Sequence, residues 1–319
     1  MKPSEIVPGG AALMEAAENT EPQSQSIAWK RASLAGRRRV QGVAFSLLWL
    51  AGLITIAALA VIVIFVCVRG IGEINFAFLT TPPRGGLSGE GGMSTTIVTT
   101  LLLVVVTIVI AAPLGVGAAI YLAEYAAENR GVRGVIPFLV SIARTGVETL
   151  AGVPSIIFGL FGYALFVVVM HFGFSILSGA LAGACLILPV IIRTTEETLY
   201  TVPRSYREGS LALGATKWQT IWNVVLPTAL PGIITGIVLS VGRIISETAV
   251  FYVTLGGSHN MPTSLLDPGR TMALHLFYLA TDTNAFEKAM ATGVILIIST
   301  ILINLIINTI SRRLTKVRG

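Results

Sequence analysis

A chain of 319 residues that is 54% hydrophobic and 12% charged, with a mean hydropathy of +0.81, falls outside the ordinary soluble class, where about 25% of residues are charged. The formal net charge of +6 does not mark a nucleic-acid binder, because the basic residues sit in short tracts between apolar runs, as membrane topology requires. Cys67 and Cys185 are the only cysteines and both lie inside apolar runs, which reads as small buried hydrophobes rather than a disulfide or a metal site.

Residues 1–42 are rich in Pro, Gly, Glu, Gln and Ser, show no apolar period, and end in Arg37-Arg38-Arg39; they are expected to be a disordered cytoplasmic tail. The stretch is too long and too polar to be a secretory signal. Six apolar stretches follow, at about 43–68, 95–122, 149–170, 175–192, 229–256 and 288–310. Each is measured against the roughly 20 residues that a helix needs to cross a bilayer. The fourth is short and interrupted by Pro189, and the fifth carries Arg243 and Glu247 near its centre. With the N-terminus inside, seventeen basic residues face the cytoplasm and four face outward (Arg69, Arg84, Arg270 and Lys288). That bias places both termini inside, including a basic tail at 312–319. His171, His259 and His275 then fall at or beyond the outer rim, where they are expected to be solvated.

The inner loop between the fourth and fifth spans, 194–228, is the most informative segment. Ser205-Tyr-Arg-Glu208 has the form of a capped helix start, and Gly214 that of a helix stop. Trp218, Ile221, Trp222 and Val225 recur at helical spacing up to Pro227, which should end that run. Two short helices with an exposed Trp-bearing face make a docking element.

Glu208-Gly209-Ser210, Gly214, Val224 and Leu226-Pro227 resemble the EAA loop of ABC-importer permeases, with Gly209 and Ser210 in place of the two alanines. The resemblance runs over roughly residues 90–311 and narrows to the phosphate-uptake branch, the PstA-type permeases. Gly91-Gly-Met, Pro113-Leu-Gly, Ile120-Tyr-Leu-Ala-Glu-Tyr125, Gly152-Val-Pro-Ser-Ile-Ile-Phe-Gly159, Leu188-Pro-Val-Ile-Ile-Arg-Thr-Thr-Glu196 and Arg243-Ile-Ile-Ser-Glu-Thr248 carry it. It implies an all-α integral membrane protein of the plasma (inner) membrane: a six-helix type I permease bundle over 43–311 with a cytoplasmic coupling helix. That helix would sit in a groove of the ATP-binding subunit.

It also implies partners: a pair of ATP-binding subunits (PstB type), a second permease (PstC type) and an external phosphate-binding protein (PstS type). No cofactor is implied. No Gly-x-x-x-x-Gly-Lys-Ser/Thr loop occurs, so ATP hydrolysis is expected in a separate subunit.

An arginine at mid-bilayer costs roughly 2.5–3.5 kcal/mol on insertion scales, so Arg243 needs a reason. Four residues from Glu247, it would share a helical face with that carboxylate. The two then either neutralise each other or line a polar path in which the guanidinium offers its planar fork to an oxyanion. Arg193 and Glu196, at the inner end of the fourth span, read alone as an interfacial pair. The resemblance implies that both arginines, with the nearby glutamates, influence phosphate movement; Glu148 is a weaker candidate.

Alternatives remain. The chain could be the PstC-type partner, a permease for another oxyanion (molybdate, sulfate, phosphonate), or an ion-coupled secondary transporter. The last would explain Glu247 but not the docking loop. A membrane-embedded enzyme would need a nucleophile–base or metal set, and no span carries one.

Overall fold

Backbone is described for residues 21–84, 89–126 and 135–316 of the computed structural model, and side chains for 40–84, 89–126 and 137–309. Residues 1–20, Arg130, Arg133 and 317–319 lie outside the described residues, and with them the first part of the expected N-terminal tail and part of the inner basic charge. The chain divides into two units at residue 65.

The first unit is most of helix α1, Glu21–Gly70. It begins inside the segment expected to be a disordered tail, because Gln23, Gln25, Ala28, Lys30 and Arg31 are good helix formers. Its side chains from 40 to 65 are exposed and almost wholly apolar, as a lipid-facing span requires.

The second unit is helical throughout its described residues, with isolated bridges and no strand. In chain order it contains α2, Phe76–Thr80; α3, Ser94–Ile120, running into a π turn at Tyr121–Tyr125; and α4, Val135–Ala151. Helix α5, Ser155–Gly162, continues as a π segment, Tyr163–Val169, and is followed by α6, Ile176–Thr201, and α7, Arg204–Ala212. Next come α8, Lys217–Thr220, a π turn at Ile221–Val225, and α9, Leu226–Ser246. The chain closes with α10, Ala249–Thr254; α11, Met272–Thr281; and α12, Phe286–Lys316. Among the described residues, five helices are long and apolar enough to cross a membrane, or six if the bent pair α4–α5 counts as one span.

Several boundaries differ from expectation for local reasons. The third span is two helices meeting at 110° across Gly152-Val153-Pro154. The fourth runs to Thr201, straight through Pro189, since one missing amide is tolerated inside a packed helix. Pro227, expected to end the Trp-bearing run of the inner loop, does not interrupt the chain's helical course either. The π turn before it widens the backbone and α9 carries on to Ser246. The basic stretch 312–316, expected as tail, is the last turn of α12.

Helices α3, α6 and α9 form the centre. Leu103, Ile187, Ile191, Ile244 and Phe251 are fully buried between them and α10. Small residues set the spacing: a Cβ on Gly115 would meet Ile191 at 2.7 Å, and Gly232 and Gly236 abut Thr198 and Thr194 too closely to admit one. The N-terminus of α6 is stitched to the 255–269 loop through Ser175 N to Thr254 O, Ile176 N to Asp267 O and Leu177 N to Leu265 O. Its C-terminus leads into α7, so α6 connects the two ends of the bundle.

Candidate functional site

At the α7 end, the segment expected to dock has the expected two-helix outline and a more specific construction. Helix α7 starts at Arg204 behind Pro203, one residue before the expected Ser205 cap, and no side chain caps it. Pro203 already sets the extended geometry from which a helix starts. The helix ends in a double C-terminal hydrogen bond, Gly214 N to Leu211 O and Ala215 N to Ser210 O, with Gly214 at φ +86°. Only glycine takes that conformation cheaply. Thr216 and Gln219 then close a capping box that starts α8 at once. Ser210 Oγ lies 2.9 Å from Thr220 Oγ1 and joins the two arms of the corner.

Glu208 and Gly209 are exposed, and so are Tyr206, Leu211, Leu213, Trp218 and Trp222, with Leu213 at 91%. Leu226 and Pro227 form the first turn of α9, and Leu226 packs against Leu199 and Val225. A bare aromatic and aliphatic corner of this size marks a contact surface.

Beside it, where α3, α4 and α6 converge, is a cavity of about 210 Å³. Arg144, Glu148, Arg193, Glu196, Glu197 and Tyr200 line it, with Leu122 and Val147. The expected pairing of Arg193 with Glu196 does not form. Arg193 Nε binds Glu197 Oε1 at 3.0 Å across one helical turn, both side chains more than half exposed. Glu196 turns instead to Arg144 of α4, at 2.8 Å, and accepts from Tyr200 Oη at 3.0 Å. The same Arg144 nitrogen, Nη2, lies 2.8 Å from both the Leu122 carbonyl and Tyr200 Oη. Arg144 Nε is buried without a partner. One pair is therefore enclosed and cross-linked, and the other is open to solvent.

Arg243 and Glu247 are also rearranged. Helix α9 ends at Ser246, so Arg243 occupies its last turn and Glu247 lies beyond it in extended geometry (ψ 133°). Glu247 Oε1 accepts from the amides of Thr248, Ala249 and Val250 at 3.2, 2.9 and 3.3 Å, capping α10 rather than pairing with Arg243. The half-buried Arg243 guanidinium has no ion pair among the described residues.

At the opposite end, His275 is buried, contrary to the expectation of solvated histidines, because α11 folds back onto α12 and α3. Its Nδ1 lies 3.5 Å from Arg270, whose guanidinium stacks on Tyr278 at 4.3 Å and donates to Gly257 O. Burial, then the charge of Arg270, push its pKa down to about 3. Half-buried His259 is lowered for the same reasons, while His171 stays exposed. Asp267 accepts from Thr263 N, Thr263 Oγ1 and Ser264 N, which holds its carboxyl below the usual range. Cys67 and Cys185 are half-buried free thiols. Among the described residues, no three His, Cys, Asp or Glu side chains are placed to hold a metal ion.

Arg144, Glu197, Tyr200 and Arg207 were not singled out as site residues from sequence. Arg144 and Arg207 counted only as inner-face charge, and their partners are 52 and 83 residues away in the chain. Glu124 stood in the Tyr121–Tyr125 landmark, without a role.

The profile of one protein family, described as "Binding-protein-dependent transport system inner membrane component", matches residues 113–316. The probable ABC transporter permease protein YqgI of Bacillus subtilis (strain 168) is 31% identical over 257 residues, covering 76% of this chain and 84% of that protein. The phosphate transport system permease protein PstA of Yersinia pestis is 34% identical over 246 residues, covering 76% and 79%. PstA 1 of Mycobacterium tuberculosis (strain ATCC 25618 / H37Rv) is 35% identical over 200 residues, covering 61% and 62%. Among solved structures, a chain of the bacterial alginate ABC transporter, crystallised with its alginate pentasaccharide-bound periplasmic protein, superposes with a TM-score of 0.59 at 16% identity, over 84% of this chain and 96% of that one. A chain of the inward-facing MetNI methionine ABC transporter gives 0.52 at 22% identity, over 69% and 93%.

Proposed function

Because the chain belongs to the family of binding-protein-dependent transport system inner membrane components, we propose that it is the PstA-type permease subunit of an importer for inorganic phosphate. A member of that family is a multi-pass membrane permease of an ABC importer and a transport subunit rather than an enzyme. The finer reading adds partners: a pair of PstB-type ATP-binding subunits, one of them seated on the α7–α8 corner, a PstC-type second permease, and a PstS-type binding protein at the outer loops, 69–94 and 257–286. Both chain termini then lie in the cytoplasm.

The observation that carries the reading is the cavity beside the docking corner. It holds two arginines among three glutamates, with one arginine nitrogen buried and unpaired. An oxyanion arriving there meets planar guanidinium forks, and the glutamates supply counter-charges that release the arginines when the anion comes and recapture them when it leaves. Arg193, held only by the exposed Glu197, is the arm that can swing; Glu196 keeps Arg144 in place. Arg243, with no ionic partner among the described residues, is a second station along the same path, and Glu247 shapes the path by ending α9 and starting α10. At the docking corner, Glu208, Gly209, Ser210, Gly214, Leu226 and Pro227 form the element that ATP-driven closure would push.

Guanidinium groups serve any oxyanion, so the choice of phosphate rests on the relatives whose names carry it. The test is ATP hydrolysis by the copurified complex in liposomes, with its binding protein, under phosphate, sulfate or molybdate. Stimulation by phosphate alone is expected. Stimulation by sulfate or molybdate instead would overturn the phosphate assignment and leave the permease architecture standing.

A further inference from the structure

The docking corner is fastened to the bundle at one point with unusual density. Arg207, in the middle of α7, directs every nitrogen of its guanidinium inward. Nε lies 3.2 and 3.3 Å from the two carboxylate oxygens of Glu124 and Nη2 lies 2.6 Å from Oε1. Nη2 also donates to Leu199 O at 2.8 Å and Nη1 to Val202 O at 2.6 Å. The Glu124 side chain is 9% exposed and that of Arg207 20%. An exposed ion pair on a loop contributes little. This one is enclosed, forked, and spans three elements: α7, the last turn of α6, and the π turn that ends α3.

What lies on the far side of that π turn gives the contact its meaning. Leu122, two residues before Glu124, offers its carbonyl to Arg144, and Arg144 holds Glu196 across the cavity mouth. Tyr200 borders both the cavity and the pocket around Arg207 and Glu124, and its hydroxyl touches Arg144 and Glu196. A π turn is a local widening of a helix, found most often where helices carry function. The route from docking corner to ionic cavity is thus continuous: Arg207, Glu124, the 121–125 turn, Arg144, Glu196.

We propose that Arg207 and Glu124 form a strut that couples displacement of the docking corner to the opening of the Arg144–Glu196 pair, making them positioning residues for transport. The proposal rests on the permease reading above and gives one salt bridge a task within it. A purely structural pair would hold α7 in place and affect assembly, ATP hydrolysis and import alike. A strut instead sets how much import each ATP delivers.

The experiment measures phosphate imported per ATP hydrolysed, in proteoliposomes holding the whole complex and its binding protein, for wild type, Glu124→Gln, Arg207→Lys and the swap Glu124→Arg/Arg207→Glu. Glu124→Gln is expected to copurify with the ATP-binding subunits yet lower the ratio by roughly fivefold or more, the low end of coupling between two sites. Arg207→Lys keeps the charge but cannot reach the carboxylate and both carbonyls together, so it should lower the ratio less. The swap restores opposite charges but sets a carboxylate against the Leu199 and Val202 carbonyls, so it should keep less of the ratio than Arg207→Lys does. An unchanged ratio in Glu124→Gln, or import and hydrolysis falling in proportion, overturns the strut. If Glu124→Gln does not assemble, Arg207→Lys decides by the same criterion. Wild type separates this from the substrate assignment: if sulfate or molybdate drives hydrolysis where phosphate does not, the phosphate reading fails, and the ratio is taken with the anion that works.

Discussion

Two glutamates, adjacent in sequence and both bound to arginine, are predicted to behave very differently when removed. Glu196 lies 2.8 Å from Arg144, accepts a second hydrogen bond from Tyr200, and its side chain is 17% exposed; that of Arg144 is 26% exposed. Truncating Glu196 to alanine strands a mostly buried guanidinium that keeps only a carbonyl and a hydroxyl as acceptors. Breaking a fully buried pair costs 3–5 kcal/mol, and a charge-assisted hydrogen bond contributes 1.5–3, so for this partly wet pair about 2 kcal/mol is expected. Glu197 is 63% exposed and its arginine 58%. Water replaces that contact, and Glu197→Ala should leave stability unchanged within error.

The assay is a thermodynamic cycle in detergent micelles, with unfolding followed against added denaturing detergent for Glu196→Ala, Arg144→Ala and the double variant. The double variant should fall short of the sum of the singles by roughly 1 kcal/mol, because each single already removes the contact. Equal destabilisation by Glu196→Ala and Glu197→Ala, or additivity of the cycle within about 0.3 kcal/mol, would refute the distinction between an enclosed latch and an open arm.

Two further outcomes follow from the site geometry. Arg243→Gln should leave copurification with the ATP-binding subunits intact, since the residue lies in the last turn of α9, away from the α7–α8 corner, while phosphate uptake into proteoliposomes falls about tenfold or more; normal uptake would make Arg243 structural. His275 titrates near 3 when folded against 6.5 ordinarily, so between those values the unfolded loop binds a proton that the folded loop refuses, and stability falls as pH drops through that window. At pH 5 the loss is about 2 kcal/mol relative to neutral pH, read as protease protection of the 257–286 loop, and His275→Gln should flatten the dependence.

The membrane class, the apolar runs and the helical corner at 204–225 were legible because each depends on local pattern: apolar length, turn chemistry, and a glycine at φ +86° after a short helix. Gly214 can be read from its place alone, because few other residues tolerate that backbone. What stayed hidden depends on distance in space. Hydropathy could not see that 137–151 and 155–169 are paired apolar helices bent by 110°, since Arg144 and Glu148 mark the first half as loop and the break itself is apolar. Nor could residue spacing foretell that Glu247 turns away from Arg243. The i,i+4 rule holds only inside a continuous helix, and the carboxylate lies one residue beyond the end. Partner choice at Glu196 and Arg207 is decided by how α3, α4, α6 and α7 converge, and no window of sequence contains all four.

Where the bundle can bend follows from where it is tightly packed. Helix α6 is clamped along its length: Ile191 against Gly115, Thr194 against Gly236, Thr198 against Gly232, and its N-terminal amides tied into the 255–269 loop. Interfaces set by small residues at such separations leave little room for sliding. Helix α4 is joined to α5 through the Gly152-Val153-Pro154 corner; Arg144 ties it to α6 at the cavity, and Val140 and Val147 pack on the cluster of Ala119, Leu122 and Ile192. A force applied at α7 and passed through Glu124 therefore meets a rigid α6 on one side and a hinged α4 on the other. On the proposed strut the softer element would yield, and the bond across that gap is the Arg144–Glu196 pair.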